Sequence, residues 1–253
     1  MLDGASASIP VAAVRPDRGV VAVDGLGRVE VDDSGAVVAS VVDGDEPGSI
    51  EALVIPAVAL GDVLAGRFPL RAAAVSHAQA GVIIVGDAAS GASTVAAALA
   101  GAGGAVLADM VTVVESGWID PRGGRVELQP DAAAALGLGD GSVIRPGVSK
   151  RRYELTAAKE PVEATHLIHV VRSDHVERPE VATGDTFDAV TRLVTAGWHP
   201  WALEGLGLQP RRFEFVTALA RRLSTARLTV PAAHVDPGAI VAGVITVTGG
   251  TGG

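Results

Sequence analysis

"VGDAASGASTVAAALA", Val85 to Ala100, decides how this chain is read. Gly86, four residues, Gly91, one residue, then Ser93 and Thr94 satisfy the phosphate-loop spacing G-x-x-x-x-G-K-[ST] everywhere except at the lysine, which is Ala92. The preceding "GVIIVG", Gly81 to Gly86, is a continuous apolar run, as in a strand covered on both faces. The residues that follow, Thr94 to Ala102, read as an alanine-rich helix. A strand, a glycine-rich turn and a helix start point several backbone amides and the positive end of a helix dipole at one place, where an anion is favoured. Gly86 and Gly91 permit backbone conformations that a Cβ forbids. The candidate anion-binding residues are therefore Gly86, Asp87, Ala88, Ala89, Ser90, Gly91, Ala92, Ser93 and Thr94. The Ser93 hydroxyl stands where a Mg²⁺ ligand belongs in this motif, and Thr94 begins the helix. None of these contributions needs the lysine. The bland alternative for the same residues is a glycine-rich helix cap in an Ala/Gly-rich protein.

The rest of the chain bounds the possibilities. Its 253 residues, 48% hydrophobic, suffice for one large domain or two small ones with a sizeable core. Aromatics are only 3%, so that core is built from Ala, Val, Leu and Ile. A net charge of −9 argues against a general nucleic-acid binder and is neutral about a phosphorylated small ligand, which needs only a local positive site. With no Cys there is no disulfide framework, thiolate metal site or cysteine nucleophile, which fits a cytoplasmic location. No apolar run reaches about 18 residues free of charge or turn formers, so no membrane span is expected, and no membrane is expected as a partner. The start, "MLDGASASIPVAAVRPDRG", lacks the layout of a secretory signal.

Along the chain, residues 19–48 read as short strands joined in hairpins. Ser49 to Pro69 has helical spacing, with Pro56 implying a late start or a kink. "LRAAAVSHAQAGVIIVGD" reads as two strands meeting in a tight turn, and "GGAVLADMVTVVES" as a strand ending near Asp109 followed by another. "GRVELQPDAAAALGLGDG" is strand, helix from Asp131 and glycine stop; Ala164 to Ser173 is the next strong strand. The last third is mostly helical, with Thr183 or Asp185 as a cap, a late strand "ARLTVP" and a final helix with Pro237 in its first turn. The expectation is an α/β fold: a strand-rich N-terminal extension over 1–48, a P-loop domain over 49–246 and a flexible tail over 247–253.

From about Leu60 to Ile240 the chain resembles the catalytic domain of the HPr kinase/phosphorylase family, in its branch of HPr-serine-kinase-related proteins. That branch carries "FPLHAAAV" on the strand before a loop G-x-S-G-x-G-K-S-T, and "DD" at the end of a following strand. This chain has "RFPLRAAAVSHAQAGVIIVGDAASGASTVAAALAGAGGAVLADMVTVV". Further matches are "VELQPDAAAALGL", "KRRYEL" and "WHPWALEGLGLQPRRFEFVTALARRLSTARLTVP". The resemblance implies a fold related to phosphoenolpyruvate carboxykinase, ATP with Mg²⁺ as cofactors, transfer of a γ-phosphoryl group to a serine hydroxyl, and a possible homo-oligomer. It also implies metal ligation by Ser93 and Asp109, with Asp109 as the catalytic acid residue that acts near the metal or as base.

Three positions depart from that pattern. The loop lysine is Ala92, the histidine of "LHAAAV" is Arg71, and the acidic pair is Asp109 followed by Met110. Losing one well-placed charge contact in a dry site costs about 3–4 kcal/mol, and a missing general base about 10²–10⁴ in rate. The resulting expectation is a divergent kinase homologue with a degraded site, a weak nucleotide binder or pseudokinase acting with a protein or peptide partner. The alternatives are an active serine, peptide or small-molecule kinase using Arg71 or the Lys150, Arg151 and Arg152 cluster as substitute cation, and a purely structural protein. The bland readings are a solvated strand edge for the 150–152 cluster, a surface or salt-bridged side chain for Arg71, and packing anchors for Trp198 and Trp201. His166 and His169, three apart on a strand, face opposite sides and make a poor metal pair.

Overall fold

The computed structural model describes residues 13–23, 27–41, 47–144, 147–233 and 236–248. The N-terminal part comprises strands β1 (Ala13–Arg15), β2 (Arg18–Val23), β3 (Gly27–Asp32) and β4 (Val37–Val41), followed by helix α1 (Pro47–Leu64). Then come β5 (Ala73–His77), β6 (Ala80–Gly86), α2 (Ala92–Gly101), β7 (Ala105–Ala108), β8 (Val114–Glu115), β9 (Trp118–Ile119), β10 (Arg125–Leu128) and α3 (Pro130–Ala135). The remainder is β11 (Ser142–Val143), β12 (Arg151–Glu154), β13 (Val162–Ser173), β14 (Glu180–Thr183), α4 (Thr186–Thr195), α5 (Pro200–Gly205), α6 (Gln209–Ala220), β15 (Ser224–Pro231) and α7 (Pro237–Thr248). The architecture is mixed α/β.

The main sheet runs β14-β15-β13-β6-β5-β7. Its centre, β15-β13-β6, is parallel, while β14 and β5 join antiparallel and β7 is antiparallel to β5. Ile83 and Val85 of β6 join one core with Ala189 and Leu193 of α4 and Val216 and Leu219 of α6. Val82 and Ile84 join the other, with Val95 and Leu99 of α2 and Ile240 and Val244 of α7. Helices on both faces explain why β6 is apolar at successive positions rather than alternate ones. The carboxyl ends of β6, β13 and β15 therefore point the same way, the end of such sheets that commonly holds a ligand.

β1 to β4 form an antiparallel meander in chain order. Val21, Val29 and Val31 pack with Leu53, Ala57 and Leu60 of α1 and with Ala202 and Leu203 of α5. Full burial of Leu53 or Leu60 contributes about 1.5–3 kcal/mol each. Helix α1 runs through Pro56 instead of starting after it. The first helix after β14 takes Asp185 as its cap, in a reciprocal box with Asp188. Val247 and Thr248 of the expected tail are helical; its remaining residues, 249–253, lie outside the described residues.

One expectation is overturned. β12 is the central strand of a three-stranded sheet, β10-β12-β11, and not an edge. Tyr153 turns into the core with Val126, and Arg152 faces Glu127 across the strand pair. Charge on β12 thus answers to a cross-strand partner rather than protecting an open edge.

Candidate functional site

The Gly86–Ser93 segment links β6 to α2 and lines a cleft of about 310 Å³. A Cβ on Gly86 would run into the Ser90 hydroxyl and the Val170 carbonyl, so only glycine lets the loop fold back here. Gly91 is the N-cap residue of α2 at φ +103, with open space around it; there glycine is needed for conformation rather than room. No side chain caps the helix, and Val95 N–H is the donor that reaches the Gly91 carbonyl at 2.9 Å. Asp87, Ala88 and Ala89 are exposed along the loop, with Ala89 at φ +64. Ser90 is buried, and its hydroxyl has no hydrogen-bond partner among the described residues.

Beside the helix start, Ser93 Oγ donates to Asp109 Oδ1 at 2.9 Å. Met110 N–H also donates to Oδ1 (3.1 Å), and Glu127 N–H donates to Oδ2 (3.1 Å). Asp109 follows β7, which runs parallel to the loop strand with β5 between them, so both strand ends reach the same edge of the sheet. The residue keeps some exposure to the cleft while its carboxyl is enclosed. Desolvation pushes it up to about 6, against the pull of Glu127 N–H, the Ser93 hydroxyl and Lys150. Met110 sits at φ +70, a strained conformation for its side chain.

Arg71, Lys150 and Arg172 bring positive charge to the cleft, opposed by Asp87, Asp109, Glu127, Asp131 and Asp236. Arg71 Cζ lies 4.6 Å from the centre of the Trp198 ring. Trp198 Nε1–H donates to the Met110 carbonyl at 2.9 Å. Trp198 is thus buried, as a packing anchor should be, and also forms part of the cleft wall. Trp201 packs instead with the N-terminal core. Of the 150–152 cluster, Lys150 reaches the cleft; Arg151 donates to the Gly141 carbonyl (3.1 Å), and Arg152 faces Glu127 at 3.5 Å.

The structure gathers Arg71, the loop residues Gly86 to Thr94 and Asp109 around one cleft. Glu127, Arg172 and the wall role of Trp198 were missed in the sequence, since each arrives from an element distant along the chain. His166 lies toward α7 and His169 toward α4, and burial lowers the pKa of both. Among the described residues no group of three His, Cys, Asp or Glu side chains is placed to hold a metal.

No helix among the described residues is long and apolar enough to cross a membrane. No family model matches the chain, and no curated protein does. Among solved structures the chain is similar to the HPr(Ser) kinase/phosphatase from Coxiella burnetii, at 16% identity and a TM-score of 0.37. That match covers 73% of this chain and 99% of the other, and it is a weak resemblance at the level of fold.

Proposed function

We propose that the cleft binds the phosphates of a nucleotide, and that the protein acts as a nucleotide-dependent binding partner in which phosphoryl transfer is slow or lost. The observation that carries this is the uncapped start of α2 together with the buried, unpartnered Ser90 hydroxyl beside it. A buried polar atom without a partner costs about 1–3 kcal/mol, which a ligand oxygen would relieve. The donor set suits phosphate: amides at a helix start, a hydroxyl, and cations from the walls. ATP with Mg²⁺ fits it, with Ser93 and Asp109 as the protein residues that would hold the metal. The metal would supply charge that Ala92 does not. Two protein ligands would leave the rest of such a cation's shell to phosphate oxygens and water, which couples metal binding to nucleotide binding.

A second reading, an active serine, peptide or small-molecule kinase, is favoured by one observation. A carboxyl near 6 on a residue that lines the cleft has the basicity of a general base at neutral pH. Against it stand the three donors that already occupy that carboxylate and the absence of a second acid at Met110. A protein or peptide partner, a homo-oligomer and a cytoplasmic setting belong to the proposal and not to the geometry.

Calorimetric titration with ATP, with and without Mg²⁺, tests binding; no heat in either case removes the nucleotide reading and leaves a structural protein. Phosphate release then separates the other two. Ala92→Lys is expected to tighten ATP binding with little gain in turnover, because ground and transition states both feel that charge. Ala92→Lys with Met110→Asp is expected to turn over faster than either single variant. Robust turnover by the unaltered protein would instead establish the kinase.

A further inference from the structure

We infer that Arg71, held against the Trp198 indole, is the cation that meets the terminal phosphate of the nucleotide, and that Trp198 is its positioning residue; this rests on the nucleotide reading above. The strand register places Arg71. β5 and β6 pair antiparallel with Ala73 opposite Ile84, so two residues further along Arg71 falls opposite Gly86, where the loop begins. Its guanidinium is exposed, and has no hydrogen bond or ion pair among the described residues. Of the other cleft cations, Arg172 donates to the Ala232 carbonyl at 2.5 Å, and Lys150 lies toward Asp109, whose charged form it favours.

Backbone bonds fix the platform. Leu70 exchanges two hydrogen bonds with Thr112 (2.8 and 2.9 Å), and on the flanking residues Arg71 N–H donates to the Ala196 carbonyl and Trp198 N–H to the Pro69 carbonyl. The segments carrying Arg71, Met110 and Trp198 are thereby stitched into one unit. The indole N–H on the Met110 carbonyl sets the ring, and the ring holds the guanidinium without using its N–H groups. A guanidinium laid on an aromatic face keeps its fork of donors for phosphate oxygens and loses less freedom on binding.

The test is calorimetry with a non-hydrolysable ATP analogue and with AMP, both with Mg²⁺. Arg71→Ala is expected to weaken the ATP analogue roughly 10- to 100-fold, the value of a charged hydrogen bond. AMP should change by less than about threefold, since the lost contact lies at the terminal phosphate. Arg71→Lys should restore part of the difference. Trp198→Leu should weaken the ATP analogue alone and add nothing when combined with Arg71→Ala, because it acts through the same contact. Equal losses for both ligands, or none, in Arg71→Ala would overturn the assignment while leaving nucleotide binding intact. A further loss of about tenfold on adding Trp198→Leu to Arg71→Ala would overturn the positioning role. No binding of either ligand by the unaltered protein would defeat the nucleotide reading itself, and the inference with it. Arg71 is exposed, so Arg71→Ala and Arg71→Lys, which decide the assignment, leave the core untouched.

Discussion

Asp109 carries the main electrostatic conflict of the cleft: three donors favour its charge, and desolvation opposes it more strongly. Its pKa is raised from 3.8 to about 6, so the folded protein holds a proton there that the unfolded chain has released. The resulting stability is fully present below the unfolded value and is lost as pH rises through the folded one, a swing of about 1–3 kcal/mol. A carboxyl-carbon NMR titration should show the Asp109 midpoint near 6. Ser93→Ala and Lys150→Ala should each move it upward, because each removes something that favours the charged form. A midpoint in the usual carboxylate range would contradict the enclosure of this group. The functional consequence has two signs. Metal-free phosphate should bind better below the midpoint, where Asp109 is neutral, and the Mg²⁺ complex better above it. At this scale the sequence was partly legible. Ser93 belongs to a spaced motif, the family resemblance implied that Asp109 would stand beside it, and the two meet. Trp198 carried no local sign of its wall role, because its ring and the Met110 carbonyl come together only in three dimensions.

Elements with strong local signals were readable. The two strands flanking Ala78 and Gln79, the turn into α2, the stop after α3 and the Asp185 cap all follow from short-range chemistry. The β5–β6 turn nevertheless uses residues poorly suited to it. Ala78 and Gln79 sit at φ +49 and +67, the geometry of a tight hairpin that favours Asn-Gly. Gln79→Gly should therefore raise stability by about 0.5–1 kcal/mol, read as a higher midpoint in chemical denaturation. No gain would mean that the turn relaxes in solution. β12 was legible as a strand but not as a central one, since a short charged strand shows its pairing only once β10 and β11 are in place. The brief strand β14 gave no clear signal, being too short for periodicity to speak.

On the scale of the whole molecule, the N-terminal sheet and α1 are tied to the rest by a buried charge. Asp62 of α1 is 5% exposed and takes a two-pronged contact from Arg122, at 2.8 and 2.9 Å, with Arg67 at 3.4 Å. Asp62→Ala leaves the largely buried Arg122 with only the longer contact to Asp120, at 3.6 Å, and should cost about 3–5 kcal/mol, measured by urea unfolding. A loss under about 1 kcal/mol would show that Arg122 regains water. Composition foretold the aliphatic core, but no stretch of sequence announced this pair, whose members stand sixty residues apart. The Leu70 stitching then has a mechanical meaning. Helix α1 ends at Leu64, and the chain reaches Arg71 seven residues later, pinned on both sides by backbone bonds. That segment is short, and Arg67 within it is bound back to Asp62 of α1 through both backbone and side chain. A displacement of α1 would therefore reach the guanidinium and the indole through only a handful of residues.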